Sequence, residues 1–455
     1  MKKRKKISLS ITFIGLVVVL GALAWFFTGV FEGKEPDVSI KPMPEFFSKN
    51  QKFMVSAVDR QRGLRKVKVV AKQAGREITL LKKEFTYKGL LNRDGVQSFQ
   101  KEFLLDTSKV KLAQGRVDIE IEVRDFSRRN GGDGNLALLQ HKLIVDTISP
   151  SIRAVSKMHY LNRGGTGLVV YQSSSDAVES GVYLNDMFFK GFPSDKGSEG
   201  GLHVCYFGIP QNLERDPKLY LWAKDRAGNI SQSGFYYKIK DKRFPEKRMK
   251  ISDSFIEKVL TCFSSHKFKK DASNVEKFLE INRNIRKENN TTYYGLRNKT
   301  DTRRLWEGTW VRLKNAATMA GFGDIRNYYY KGKKIDEQIH LGVDLASLAN
   351  SEVQAANSGK VLFAGKLGIY GNTVVIDHGQ GIASVYGHLS AVNVSEGDTI
   401  SRGDMLGLTG DTGLAGGDHL HFGIMVGGVF VNPIEFWDSH WIKDNITRKL
   451  AMLEK

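Results

Sequence analysis

The sequence predicts a mainly β chain: an N-terminal transmembrane helix, two tandem β-sandwiches, a short helical linker and a C-terminal antiparallel β domain. Three observations carry this reading. A basic cluster at the N-terminus is followed by a long uncharged apolar run. Alternating strands closed by a similar turn recur at an interval of roughly 100 residues, the size of a sandwich domain. Glycine is abundant at 46 residues and proline scarce at 9, which favours turn-rich β structure over a disordered linker protein. At about 150 residues per domain, 455 residues make roughly three folded units.

Lys2, Lys3, Arg4, Lys5 and Lys6 make residues 1–6 a basic tail. Residues 7–31 carry no charge and include Ile11 to Leu20 and Trp25-Phe26-Phe27. That run is long enough to cross a bilayer as a helix, which takes about 20 residues. Basic residues before the span hold the tail in the cytoplasm and place the remainder outside. A cleaved signal peptide is the competing reading, but the apolar run is long for a signal core, and aromatics follow Ala22-Leu23-Ala24. The expected location is the inner (cytoplasmic) membrane, single-pass, with the bulk periplasmic or extracellular. A formal charge of +20 suits attraction to anionic lipids or an anionic cell wall. The Lys and Arg residues are spread along the chain and form no nucleic-acid motif, so nucleic acid is not an expected partner.

Residues 36–147 and 148–245 read as two similar units. Val117 to Val123 alternates strictly, Asp125 to Gly132 reads as a turn, and Leu136 to Val145 as the returning strand. In the second unit Leu219 to Ala223 precedes Asp225-Arg226-Ala227-Gly228-Asn229, and Phe235-Tyr236-Tyr237 returns. Asp125 and Asp225 occupy matching places, and Pro36 and Pro150 open matching starts. The second turn resembles the one near the end of many bacterial immunoglobulin-like domains, so the expectation is two tandem immunoglobulin-like β-sandwiches. Neither shows a catalytic constellation; their expected role is to space or dock the C-terminal domain.

Residues 246–302 read as a helical linker. Ser254 with Glu257, and Ser273 with Glu276, fit the capping-box pattern. Val275, Phe278, Leu279 and Ile285 follow at helical spacing. Residues 303–455 turn β-rich and glycine-rich, with strands expected at Val361 to Gly365, Thr373 to Gly379 and Ala383 to His388. The two cysteines, Cys205 and Cys262, are far apart, and nothing in the sequence brings them together.

The chemistry concentrates in this last segment. Of ten histidines, His340, His378, His388, His419 and His421 fall within it at close intervals. His340-Leu341-Gly342-Val343-Asp344 and His419-Leu420-His421 place donors at even spacings, which share one face of a strand while Leu341, Val343 and Leu420 take the other. Two imidazoles and a carboxylate suit Zn²⁺ and leave a fourth position open, as in a catalytic site. Each motif alone is weak; the ordered set is specific.

That ordered set resembles the lysostaphin/LytM-type zinc endopeptidases that cut peptidoglycan cross-bridges. The carriers are His340 to Ala346, Tyr386-Gly387-His388-Leu389-Ser390 and His419-Leu420-His421-Phe422-Gly423, with Glu396-Gly397-Asp398, Gly403-Asp404 and Thr409 to Gly413 between them. The resemblance covers roughly residues 305 to 440. It implies an antiparallel β peptidase domain and one Zn²⁺ ion held by His340, Asp344 and His421. His388 and His419 are then the non-ligand catalytic histidines, one taking the proton of water and one helping to hold the oxyanion. One departure is Asn350-Ser351-Glu352-Val353, where relatives carry a Gly-Thr-Pro-Val turn. His378 reads as structural, Asp377 as a candidate orienting partner, and Phe322 to Arg326 with Tyr328 to Tyr330 as candidate groove walls. The expected function is a membrane-anchored endopeptidase acting on peptidoglycan cross-links, with an envelope protein as a further partner. The alternative is a non-hydrolytic wall-binding or regulatory module.

Overall fold

The structure, a computed structural model, describes residues 2–194, 201–214 and 216–454. The chain divides into two compact units, residues 1–149 with 225–229, and residues 150–224 with 230–455.

The first unit opens on the helix Lys2–Val30. Its segment Ile11–Val30 is long and apolar enough to cross a membrane, and most of its side chains are exposed. Two sheets follow. One has three strands, Asp37–Lys41, Asn50–Val58 and Ser98–Asp106; the other has five, including Leu64–Gln73, Gly115–Asp125 and Leu136–Val145. The alternation of Val117, Ile119, Ile121 and Val123 does what its period predicts: all four are buried. They share a core with Phe53, Val55 and Ala57 of the other sheet.

The second unit begins with two four-stranded sheets. Leu219–Asp225 is a strand, but its antiparallel partner is Ile230–Gly234 rather than Phe235 to Tyr237. Ile230 to Gly234 is an edge strand with a half-exposed to exposed surface, so it lacks the apolar signal that drew the prediction downstream. Tyr237–Lys240 pairs instead in parallel with His159–Asn162. The matching turns share their chemistry. Asp125 accepts from the backbone N–H and the side-chain amide of Asn135, and Asp225 does the same from Asn229.

The strand Thr166–Ser173 is apolar without alternation, as a strand buried on both faces requires. Val169 and Tyr171 join Cys205 and Phe207 in the core between the two sheets. Leu168 and Val170 join Val204 and Tyr206 in the core of the C-terminal domain. Docking of the C-terminal domain onto this sheet therefore follows from residues that would otherwise expose an apolar face. Cys205 and Cys262 are free thiols.

The segment expected as a helical linker begins with a strand. Glu246–Ile251 pairs in parallel with Ile325–Tyr330 of the C-terminal domain. Four of its six residues are charged, which hides its strand character from a periodicity reading. The first helix, Asp253–Cys262, is capped by Ser252, whose Oγ accepts from Phe255 N–H, and not by Ser254. The second, Asn274–Glu280, starts at Ser273 with the full reciprocal capping box to Glu276. It continues through a wider turn at Ile281–Ile285 into Arg286–Leu296.

Residues beyond form an eight-stranded antiparallel sheet. Its order runs Ala317–Ala320, Val343–Ala346, Leu420–Val426, Ile382–Leu389, Asn372–Asp377, Gly359–Lys366 and Thr399–Ile400, with Val429–Val431 paired beside Leu420–Val426.

A buried carboxyl, Glu435, joins this domain to the sheet that carries Thr166. It accepts from Asn162 Nδ2 at 2.8 Å and from Thr166 N–H at 2.7 Å. Burial pushes its pKa from 4.5 up to about 7, against those two hydrogen bonds. Between those values the folded state keeps a proton that the unfolded chain has lost, so this residue's contribution to stability falls as pH rises through the window. Glu435→Gln keeps an acceptor oxygen and removes the titration. The melting temperature of the wild type should therefore fall relative to Glu435→Gln between about pH 4.5 and pH 7, by the equivalent of at most about 3 kcal/mol. A difference that stays constant with pH would contradict this account.

Candidate active site and metal centre

The centre is assembled by strand register. In Leu420–Val426, His421 lies opposite Asp344 of one neighbouring strand and opposite Gly387 of the other. His388 is the next residue along, and His419 enters through a single bridge to Gly410 just before the strand. His340 is not on the strand with Asp344, as a shared-face argument requires. It follows the strand Lys333–Ile339, and the chain bends at Leu341-Gly342 before Val343–Ala346 begins. A side chain at Gly342 would come within 2.6 Å of the His421 ring, so glycine is what lets the bend close against that imidazole.

His340 Nε2 is 2.9 Å from Asp344 Oδ1, Asp344 Oδ1 is 3.0 Å from His421 Nδ1, and the two nitrogens are 3.1 Å apart. Tetrahedral zinc with bonds of about 2.0–2.1 Å separates its ligand atoms by about 3.3 Å, so the triangle has the right size. The hydrogen bonds behind it also fit. His340 Nδ1–H donates to the Gly321 carbonyl at 2.8 Å, leaving a lone pair on Nε2. That lone pair faces a carboxylate oxygen, itself an acceptor, and a cation between them resolves the conflict. Burial acts to raise the Asp344 carboxyl, but His340 and His421 outweigh it and hold it well below the usual carboxylate range. Burial, against the Asp344 hydrogen bond, holds His421 down to about 4. An ionised carboxylate beside a neutral imidazole is the protonation state a bound metal needs.

His388 and His419 flank the triangle, with ring centroids 4.8 Å apart. His388 Nδ1–H donates to the Thr412 carbonyl at 2.7 Å, and His419 Nδ1–H to the Gly417 carbonyl at 2.8 Å, so in the neutral ring of each the lone pair is on Nε2. His419 Nε2 is 3.6 Å from Asp344 Oδ1. Burial, and then His419 and His421, push His388 down to about 3. His388 also has a φ of 64°, a left-handed conformation uncommon outside glycine that is held by the sheet around it.

Two residues of the cluster stand apart. His378 is fully buried, with its ring nitrogens on the Ser358 carbonyl and the Ser384 hydroxyl. Asp377 accepts from Thr300 Oγ1 and Asp301 N–H and orients no histidine of the centre. At the departure from the family turn, Asn350 takes a φ of 55° and its side-chain oxygen accepts from Ser390 Oγ, so the turn still forms. Arg326 has a larger part than a groove wall. Its Nη2 donates to Asp344 Oδ2 at 2.6 Å, fixing the carboxylate so that Oδ1 faces the imidazoles. Only the fold brings it there: Arg326 lies on Ile325–Tyr330, with no spacing signal to Asp344.

The centre opens into a cleft of about 620 Å³ that reaches Asp344, His388 and His419. One wall is the strand Glu246–Ile251, whose Lys247 and Lys250 line the cleft. Arg248 also lines it and stacks over Tyr329 at 4.0 Å.

The domain is thus mainly β and gathers two histidines and one aspartate at an open cleft, with two further histidines beside them. Residues 338–433 match the model of peptidase family M23, and the C-terminal domain is an M23 peptidase-family domain. The segment is 38% identical over 97 residues to the DD-carboxypeptidase/endopeptidase Mpg of Neisseria meningitidis serogroup B. That match covers 21% of this chain and only 22% of the relative's length. It is 36% identical over 102 residues to stage II sporulation protein Q of Bacillus subtilis, covering 22% of this chain and 36% of that protein. Among solved structures, the catalytic domain of the antimicrobial peptidase lysostaphin from Staphylococcus simulans is 31% identical. It covers 28% of this chain and 94% of its own, with a TM-score of 0.24.

Because Arg326 holds the carboxylate that the imidazoles share, Arg326→Gln should weaken metal binding by about 10–100-fold while the fold persists. Competition against a chromophoric chelator measures this. Unchanged affinity would leave Arg326 as a groove wall only.

Proposed function

We propose that the chain is a membrane-anchored, zinc-dependent endopeptidase that hydrolyses peptide cross-links of peptidoglycan. The observation that carries the reading is the convergence of His340 Nε2, Asp344 Oδ1 and His421 Nδ1 at one point of an open cleft. The M23 match and the similarity to a relative named as a DD-carboxypeptidase/endopeptidase support this choice of substrate class. In this reading residues 36–147 and 148–245 are immunoglobulin-like sandwiches that space the peptidase from the membrane. Residues 1–6 are cytoplasmic and 7–31 are the anchor. An envelope protein is a further partner.

His340, Asp344 and His421 hold the ion, with Arg326 orienting the carboxylate. A bound zinc ion supplies Lewis acidity toward water and the scissile carbonyl. The chain's own part is proton movement. Backbone carbonyls occupy the Nδ1–H groups of His388 and His419, so each neutral ring offers its Nε2 lone pair. One accepts the proton of the attacking water and the imidazolium so formed returns it to the leaving amine. Lys247 and Lys250 along the cleft suit the carboxylates of a peptide stem.

The similarity to stage II sporulation protein Q, whose name specifies no peptidase, favours the second reading, a non-hydrolytic wall-binding or regulatory module. One experiment separates the two. The full chain in detergent is incubated with peptidoglycan, with and without a metal chelator. Metal-dependent release of new amino groups is expected, and mass spectrometry of the released fragments names the bond. If no such release occurs at any pH tried, the hydrolytic reading fails. His388→Ala should keep its metal and lose about 10²–10⁴-fold in rate. A variant that loses the metal instead would show that the ligands are wrongly assigned.

A further inference from the structure

We infer that Glu32, Asp59 and Asp125, where the N-terminal helix joins the first pair of sheets, form a calcium-binding site. One oxygen from each carboxylate lies within 4.8 Å of the others. Asp59 and Asp125 are buried, and Glu32 is half-buried at the mouth of the group. Among the described residues no Lys or Arg pairs with any of the three within 4.0 Å. Arg62 Nη2 donates to Phe126 O while its Nε and Nη1 are buried without a partner, and Arg129 Nε donates to Phe31 O. Three carboxylates drawn together without a cation repel one another, and burial sharpens the repulsion.

The surplus of acceptors can be followed atom by atom. Asp125 Oδ1 accepts from Ser127 N–H and Asn135 N–H. Asp59 Oδ1 accepts from Gln61 N–H and Arg62 N–H. Asp59 Oδ2 has no partner although the residue is only 6% exposed. Glu32 Oε2 accepts from Lys34 N–H. The remaining oxygens crowd on one amide. Asn135 Nδ2 has two hydrogens, yet four oxygens lie within 3.3 Å of it: Asp125 Oδ2 at 2.8 Å, Glu32 Oε1 at 3.0 Å, Glu32 O at 3.1 Å and Lys34 O at 3.3 Å. Ser127 Oγ supplies a further donor to Glu32 O, so at least one of these acceptors, and Asp59 Oδ2, are left for another positive partner.

The donor set selects the ion. It consists of carboxylate and carbonyl oxygens with no nitrogen or sulfur, which excludes preference for zinc or copper. One oxygen from each of the three carboxylates and the nearby Glu32 and Lys34 carbonyls make five, which one to three waters raise to the six to eight oxygens of calcium, whereas magnesium keeps most of its hydration shell. The bound ion would tie down a short connector. Val30 O accepts from Arg128 N–H, and Glu32 O accepts from Ser127 Oγ, so Phe31 to Lys34 already lies along this turn. Calcium there fixes the direction in which the helix leaves the sheets.

The test is isothermal titration of the full chain in detergent, loaded with zinc and stripped of calcium, with calcium chloride alone as probe. One ion per chain should bind with a Kd of about 10⁻⁴–10⁻³ M, as extracellular calcium modules do. Magnesium chloride at the same concentrations should give no comparable binding. Glu32→Gln and Asp59→Asn should each weaken binding at least tenfold. Glu32 is half-buried, so its variant remains informative if Asp59→Asn fails to fold, and retained zinc reports an intact C-terminal domain. No calcium binding by the wild type up to about 5 mM, well above the expected Kd, overturns the site. So does binding that Glu32→Gln leaves unchanged.

Discussion

The register of one strand decides the chemistry of this chain. Leu420–Val426 sits between Val343–Ala346 and Ile382–Leu389, and its antiparallel pairing sets His421 across from Asp344 on one side and from Gly387 on the other. A slip of one residue in either pairing would turn the site side chains to the opposite face of the sheet, because side chains alternate along a strand. The apolar residues between the site residues prevent that slip. Val343, Leu345, Leu420 and Phe422 are all buried in the same core, so any other register would expose them. The geometry of the His340, Asp344 and His421 triangle is thus a by-product of hydrophobic packing on the reverse face.

Around that constraint the molecule adds supporting polar contacts. Carbonyls of Gly321, Thr412 and Gly417 each take one imidazole N–H, and each removes a tautomer that would spoil the site. These carbonyls come from loops, where backbone acceptors are not spent on a sheet ladder. Arg326 completes the shell from a neighbouring sheet. That sheet is in turn extended by Glu246–Ile251, so the segment before the domain also forms a wall of its cleft. The second pair of sheets is bound to the same domain through Leu168, Val170, Val204 and Tyr206 and through Glu435.

Much of this was legible locally. Val117 to Val123 and Leu136 to Val145 alternate, and they are strands; Ser273 and Glu276 form their box and start a helix. The ordered histidine motifs identified the five side chains that gather at the centre. Misreadings came where local signals were weak or doubled. Ser254 has a good capping pattern, but Ser252 is the cap, because two serines were available and packing chose between them. Ile230 to Gly234 and Glu246 to Ile251 are strands with polar sequences, since an edge strand needs partners more than it needs apolar residues. His340 and Asp344 share a site without sharing a strand, because Gly342 lets the chain bend between them.

By itself the sequence determined which residues have the chemistry and which faces must be buried. Residue type settles the first, and the two- and 3.6-residue periods settle the second. Tertiary structure alone decided which distant groups meet. Arg326 reaches Asp344 across 18 positions, and Asn162 reaches Glu435 across 273. Glu32, Asp59 and Asp125 close into one group although nothing in their spacing marks them. The physical reason is that periodicity encodes only the direction of a side chain relative to its own backbone. Encounters between elements depend on strand register and on the packing of whole sheets, which no short segment contains.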